Sequence, residues 1–196
     1  MDLSEILNSP IGQSIVKSTS NKLGMNENQV IQAVNMALPT ILKGITKNVQ
    51  TPEGAQSLNN ALEDSRHDGS LLNNLFGALQ DRSDEIKADG DGILGHVFGA
   101  KKSEIEQGIS RKTGASAGQI GSLLSMLAPI AMAYLGKEKR KTNTDANGLG
   151  NLLNNILGMG QQEQSQQQSK GGLMDILSGI LDKDADGNIL DDLLGK

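Results

Sequence analysis

Apolar side chains recur at intervals of three and four residues in two stretches of this chain. The first set is Val30, Ala33, Val34 and Ala37, and the second set is Ile120, Leu123, Leu124 and Leu127. Positions i, i+3, i+4 and i+7 lie on one face of an α-helix. The pattern therefore predicts two amphipathic helices that bury this face, and it places the chain in the all-α class.

The two stretches share one register, with a constant offset of 90 positions. The matched pairs are Gly24/Gly114, Gln29/Gln119, Val30/Ile120, Met36/Met126 and Pro39/Pro129. A shared spacing of this length predicts an internal duplication, with repeats at residues 3–48 and 93–138 joined by short helices.

The sequence of each copy predicts two consecutive helices separated by a short turn. Gly24 and Gly114 are expected to end a helix because glycine tolerates the left-handed conformation. Asn26 and Ser116 are expected to cap the next helix. The proline further along is expected either to kink that helix or to start a new one at its first position.

A smaller motif of two apolar pairs between glycines recurs along the chain. Its copies are GSLLNNLFG at 69–77, GILGHVFG at 92–99, GNLLNNILG at 150–158 and GNILDDLLG at 187–195, with GGLMDILSG at 171–179 as a looser version. The spacing predicts two-turn helices that end at glycine. Helices this short are unstable alone in water, so they must dock on the main bundle, on each other or on a partner.

Residues 142–171 differ in composition, because they include the run QQEQSQQQSK, which has no apolar side chain. Such a run is typical of a flexible linker. The sequence therefore predicts a helical domain at 1–141, followed at 142–196 by a linker and a flexible C-terminal tail with short helices.

Composition narrows the possible partners and cofactors. The chain has 18 Lys and Arg against 23 Asp and Glu, for a net charge of −5. Non-specific nucleic-acid binding depends on basic side chains that neutralise phosphates, so a nucleic-acid partner is disfavoured. The chain has no cysteine, which excludes disulfides, cysteine-ligated metals and thiol catalysis.

The sequence also favours a cytoplasmic protein with no membrane-spanning segment. Its first residues, MDLSEILNSPIG, lack the basic start and the apolar run of a secretory signal. The longest apolar stretch, at 123–135, is shorter than the roughly 20 residues that a spanning helix needs. We expect this stretch to form a buried core helix.

One acidic segment near the C-terminus has the form of half a calcium loop. Its candidate ligands are Asp182, Asp184, Asp186 and Asn188. Oxygen ligands at alternate positions can converge on one calcium ion, but Leu193 stands where such a loop carries its bidentate Glu. A helix-capping turn explains the same residues, and similar sequences occur at 143–148 and 89–92. Calcium binding and helix capping are thus two alternative hypotheses for this segment.

The remaining polar residues supply no catalytic motif. The two histidines have no metal-ligand spacing to a second His or Cys. We expect His67 to be a solvated loop residue and His96 to be a structural residue that is either hydrogen-bonded or partly exposed. The basic cluster KEKRK at 137–141 suits the C-terminus of a helix, whose dipole favours cations. Contact with an acidic partner, a nucleic acid or a membrane surface is the alternative for this cluster.

Several of these segments together resemble a known family. The helix ends KLG (22–24) and SRKTG (110–114), the paired segments with Gln, Met and Pro, the ILGHVFG motif and the LLNNILG segment are similar to bacterial proteins of the DUF937 family. The resemblance covers most of residues 3–136. It implies small orthogonal helical bundles with a homeodomain-like arrangement. It implies no activity, because the family has none assigned.

The sequence thus leads to the expectation of a non-enzymatic scaffold or protein-interaction protein. Its partner would be another protein or a second copy of itself, bound through the short helices. The alternative is a calcium-responsive module that uses residues 182–186. A binder of DNA or of a membrane surface through residues 137–141 is the least favoured hypothesis.

Overall fold

A computed structural model describes residues 10–158, and every regular element in that range is helical. The α-helices are α1 (Pro10–Leu23), α2 (Glu27–Asn48), α3 (Pro52–Glu63), α4 (Ser70–Asn73), α5 (Leu75–Asp81), α6 (Ser83–Phe98), α7 (Lys102–Thr113), α8 (Ala117–Thr142) and α9 (Leu149–Ile156). Short 3-10 turns occupy Ser65–His67 and Gly99–Lys101. The predicted all-α class is confirmed.

Helices α2 and α8 begin as their sequences predict. Gly24 and Gly114 end the preceding helices with positive φ angles of 64° and 71°. The Asn26 side chain accepts a hydrogen bond from the Gln29 amide (2.8 Å), and the Gln29 side chain accepts one from the Asn26 amide (3.1 Å). Ser116 and Gln119 form the same reciprocal capping box at the start of α8, so in both helices the cap satisfies backbone amides that have no partner within the helix.

The core forms where the apolar faces of these helices meet. All eight residues of the two predicted stripes are buried. Helix α8 lies at the centre and packs against α6, α7 and α2. By length and composition alone this helix could cross a membrane, but 67% of its most apolar 18-residue stretch is buried within the protein.

Both prolines lie inside their helices. Pro39 is within α2 and Pro129 is within α8, so of the two alternatives the start of a new helix is wrong. A proline removes one backbone hydrogen bond. Burial of side chains on both sides of each proline, such as Ala37 and Ile41 in α2, compensates for that loss.

The short glycine-bounded motifs behave differently from one another. Residues 92–99 are not a separate helix, because they form the second half of α6, which starts at Ser83 and is held by the buried Ile86 and Leu94. The prediction of a turn at 89–92 is therefore wrong as well. Residues 69–77 split at Asn74 into α4 and α5, and α5 continues to Asp81.

The copy at 150–158 forms the predicted short helix, α9, followed by Gly158 with a φ angle of 72°. Its apolar face docks on the main bundle, where Leu149 and Leu153 are fully buried. The Asp145 side chain accepts a hydrogen bond from the Gly148 amide in the turn before α9, while no side chain caps α9 itself.

Two glycines set how closely the other elements approach α8. A Cβ atom at Gly90 would overlap the backbone carbonyl oxygen of Ser125, and one at Gly136 would overlap the carbonyl oxygen of His67. Gly90 therefore lets α6 lie directly against α8. Gly136 does the same for the turn Ser65–His67, which carries the first of two candidate sites.

Candidate functional site

The first candidate site is a polar cluster between α3, α6 and α8, which we call the His67 junction. It consists of His67 and Arg66 from the turn, Asp89 from α6 and Arg140 from α8. The expectation of a solvated His67 is wrong, because only 4% of the residue is exposed. Because Gly136 has no side chain, the turn can approach α8 closely enough for His67 to be buried between the helices.

Both ring nitrogens of His67 have partners. Nδ1 lies 2.8 Å from the carbonyl oxygen of Ala61 in α3, and Nε2 lies 3.2 Å from a carboxylate oxygen of Asp89. The other oxygen of Asp89 accepts a hydrogen bond from Arg66 (2.7 Å). One carboxylate in the middle of α6 thus holds two consecutive side chains of the turn.

Arg66 also pairs with the acid that precedes it. Its guanidinium donates to Asp64 at 2.9 Å, and its backbone amide donates to the same carboxylate. These hydrogen bonds hold the pKa of Asp64 well below its usual value, and the same pairing raises the pKa of Arg66. The turn is therefore closed by charge-assisted hydrogen bonds on its outer side.

The basic cluster at 137–141 lies in the last turns of α8, as expected for a helix C-terminus. Two of its residues, Lys139 and Arg140, contact other parts of the same chain. Arg140 donates to the carbonyl oxygens of Leu62 (2.9 Å) and His67 (3.4 Å). Lys139 lies 3.3 Å from Glu63, and that contact lowers the pKa of Glu63.

A second acid of α6 makes a separate polar contact. Asp91 accepts hydrogen bonds from Lys102 (2.7 Å) and Ser125 (2.6 Å), and these lower its pKa. Ser125 is 1% exposed, so no substrate reaches its hydroxyl in this arrangement. In the range 10–158, no three side chains among His, Asp and Glu come together to hold a metal ion.

The second candidate site is an open groove of about 760 Å³ between α1 and α5, which we call the α1–α5 groove. It is lined by Lys17, Ser18, Asn21, Lys22, Phe76, Gln80 and Asp81. Phe76 is 40% exposed. Helix α5 sits on a small apolar cluster that contains Leu79 and Ile86, and the Lys22 ammonium donates to the carbonyl oxygen of Leu79 (2.9 Å).

Another open groove, of about 590 Å³, lies at the start of α2. It is lined by Asn26, Glu27, Asn28, Gln29, Gln32 and Thr113. Every one of these side chains is polar. This groove therefore offers hydrogen bonds but no apolar anchor to a ligand.

Comparison with known proteins places the chain in a family. Residues 5–138 match the sequence model of DUF937, described as a bacterial protein of unknown function. The chain belongs to the DUF937 family. No curated protein and no solved structure matched this DUF937 protein. The resemblance seen in the motifs is thus confirmed, and it brings no site residues with it.

The predicted calcium ligands Asp182, Asp184, Asp186 and Asn188 lie outside the described residues. Calcium binding by this DUF937 protein stays a prediction. The polar residues that the structure does bring together are different ones. Sequence reasoning missed the pairing of His67 with Asp89, and it missed Lys17 and Lys22 as neighbours of Phe76.

Proposed function

We propose that this DUF937 protein is a non-enzymatic scaffold that works by binding another protein chain, a second copy of itself included. The observation that carries the proposal is the exposed Phe76 in the α1–α5 groove. Aromatic side chains that fill or line a groove are frequent energetic anchors of protein interfaces. In a chain with only 2% aromatic residues, an exposed phenylalanine is a feature that folding alone does not require.

Two of the three charged side chains that line the groove with Phe76 are lysines, which suit a partner that carries carboxylates; the third is Asp81. Lys17 and Lys22 line the same groove, and neither forms an ion pair with a carboxylate within the described range. Charges at the rim of an interface contribute to specificity and association rate. An amphipathic helix with apolar and acidic residues would meet both Phe76 and the lysines.

The test compares Phe76→Ala with Tyr134→Ala. Tyr134 is a well-matched control because it is exposed to almost the same extent, 38% against 40%, but lies outside the groove lining. Light scattering on the full chain and affinity capture from a bacterial extract give two readouts. We expect Phe76→Ala to abolish assembly or capture and Tyr134→Ala to keep it. Equal behaviour of both variants and the wild type contradicts the proposal.

We also propose that the two segments with the 90-residue offset are structurally equivalent copies of one unit. Support comes from local contacts that recur at this offset. The hydroxyls of Ser20 and Ser110 donate to the carbonyl oxygens of Met25 and Ala115, five residues ahead in each case. These contacts accompany the two left-handed glycines and the two capping boxes.

Contacts between the two segments are reciprocal too. The side-chain Nε2 of Gln119 donates to the carbonyl oxygens of Leu23 and Gly24, both at 2.9 Å. The side-chain Nε2 of Gln29, its counterpart at the 90-residue offset, lies next to Gly114, 3.7 Å from where a Cβ atom would stand. Such reciprocity is expected when two copies pack about an approximate two-fold axis.

Exchange of the two caps tests this equivalence. The variant carries SAGQ at 26–29 and NENQ at 116–119, in place of the native NENQ and SAGQ. Equivalent units tolerate the exchange, and the free energy of unfolding should stay within about 1 kcal/mol of the wild type, the usual worth of one cap. A control with alanine at both Asn26 and Ser116 should lose more. Loss of folding on exchange, with the alanine control folded, contradicts equivalence.

A further inference from the structure

Helix α9 shows how the glycine-bounded motif binds to a helical surface. Its apolar pair, Leu152 and Leu153, is buried, and Ile156 packs against the same core, where α9 meets α2, α3 and α8. The polar pair between these apolar positions, Asn154 and Asn155, is not buried. The motif therefore binds through its apolar side chains and keeps its central polar pair accessible at the edge of the contact.

The last copy of this motif differs from α9 in charge. GNILDDLLG at 187–195 matches GNLLNNILG at 150–158 at every apolar position, and Asp191 and Asp192 stand where the α9 copy has its two asparagines. Residues 187–195 lie outside the described residues, so the two copies are compared by sequence. Because two-turn helices are unstable alone in water and α9 already fills its own site, the last copy requires a different surface, one that accepts two carboxylates.

The α1–α5 groove has the complementary properties. Phe76 offers an exposed apolar side chain on α5, while Lys17 and Lys22 line the groove from α1. The Lys22 ammonium donates one hydrogen bond to the carbonyl oxygen of Leu79 and keeps two further donors for other acceptors. Asp81, the one acid among the described lining residues, is the last residue of α5. The groove can therefore receive an apolar face that is flanked by carboxylates.

We propose that residues 187–195 of a second copy bind in the α1–α5 groove, with their apolar side chains against Phe76 and their two aspartates beside Lys17 and Lys22. The proposal rests on the function proposed for this groove and names its occupant. Each copy has one groove and one such segment, so two copies satisfy both sites at once in a closed two-fold pair. Opposite charges across the contact fix the register in which the segment binds.

Light scattering on the full chain in calcium-free buffer tests this occupant. We expect the wild type to form a dimer that dissociates on dilution. Asp191→Lys combined with Asp192→Lys should raise the dissociation constant roughly tenfold or more, because attractive contacts with the lysines become repulsive. Asp182→Lys combined with Asp184→Lys is the matched control, because it changes the net charge equally at acids outside the motif, and it should leave the dimer unchanged.

A charge reversal in the groove provides the rescue. Lys17 is the residue to change, because it is exposed and its replacement leaves the hydrogen bond from Lys22 to Leu79 in place. Lys17→Glu alone should weaken the dimer. Added to the variant with lysine at 191 and 192, the same change should restore part of the lost affinity, which an effect on folding would not do.

The outcomes separate this occupant from the proposed function of the groove. If Phe76→Ala dissociates the dimer and the change at Asp191 and Asp192 does not, the groove is an interface with a different occupant, and only the present proposal is overturned. If neither variant affects the dimer, both proposals are wrong for self-association. A wild type that is monomeric at every concentration also overturns the second-copy occupant, and capture from a bacterial extract with Phe76→Ala then decides the proposed function separately.

Discussion

Replacement of Gly90 by alanine should destabilise this protein, although alanine is the better helix former. Gly90 is buried in α6, and α6 packs more extensively against α8 than any other pair of helices in the described range. A Cβ atom at this position would overlap the Ser125 carbonyl oxygen. Because that oxygen belongs to the backbone of a long helix, it cannot rotate away, and the two helices must separate.

The expected loss follows from two opposing effects. Alanine gains about 1 kcal/mol over glycine in helix propensity. Overpacking of a close contact costs about 1–3 kcal/mol, and a backbone obstacle favours the upper end of that range. We therefore expect a net loss of about 2 kcal/mol in the free energy of unfolding for Gly90→Ala.

Gly95→Ala is the matched control. Gly95 lies in the same helix, is exposed, and has no atom within 4 Å of the position of an added Cβ. Only the propensity effect applies there, so we expect a gain of about 0.5–1 kcal/mol. The two variants should then differ by nearly 3 kcal/mol, roughly the sum of these effects, although they make the same chemical change.

Urea unfolding followed by far-ultraviolet circular dichroism measures both variants, since the chain has no tryptophan to report by fluorescence. The comparison requires that the free energy of unfolding fall with urea concentration at the same slope in both variants. If Gly90→Ala were as stable as Gly95→Ala, α6 and α8 could not approach as closely as described. The placement of Asp89 beside His67, which depends on the same approach of α6, would then be wrong as well.

Three further predictions use the same unfolding measurement. Leu153→Ala should cost about 2–5 kcal/mol, because α9 buries this side chain completely in the bundle, and an unchanged stability would show that α9 does not dock. Ser116→Ala should lower the free energy of unfolding by about 1 kcal/mol through loss of the α8 cap. The control Ser103→Ala, at an exposed serine, should leave the free energy of unfolding unchanged. The lowered pKa of Asp91 means that its carboxylate stabilises the fold above its ordinary titration range and that this stability is lost as pH falls. Asp91→Asn should therefore be less stable than the wild type at neutral pH and should approach it in acid; a constant difference at all pH values would contradict this.

The sequence by itself determined the features that depend on near neighbours along the chain. The left-handed glycines at 24 and 114, the caps at Asn26 and Ser116 and the apolar stripes of α2 and α8 all follow from contacts within four or five residues. Such contacts are encoded locally by residue type and spacing. For this reason the helix starts and the buried faces could be predicted before any tertiary contact was known.

Tertiary structure decided which chemically similar residues differ in role. Gly90 and Gly95 sit five residues apart in α6, yet one touches α8 and the other faces open space. His67 lies in a polar sequence that is typical of a loop, and only the close approach of the turn to Gly136 buries it. The sequence around Asp89 predicted a turn because it is rich in glycine. The segment is helical because apolar residues of α6 pack against segments that are distant along the chain.

The same reason applies to the α1–α5 groove. Phe76 is an ordinary apolar position in its motif, and Lys17 and Lys22 are ordinary surface positions of α1. They become a candidate interface because the small apolar cluster under α5 holds that helix against α1. Periodicity along a chain specifies which face of a helix is buried, while the partner of each face is selected by packing among all the helices at once.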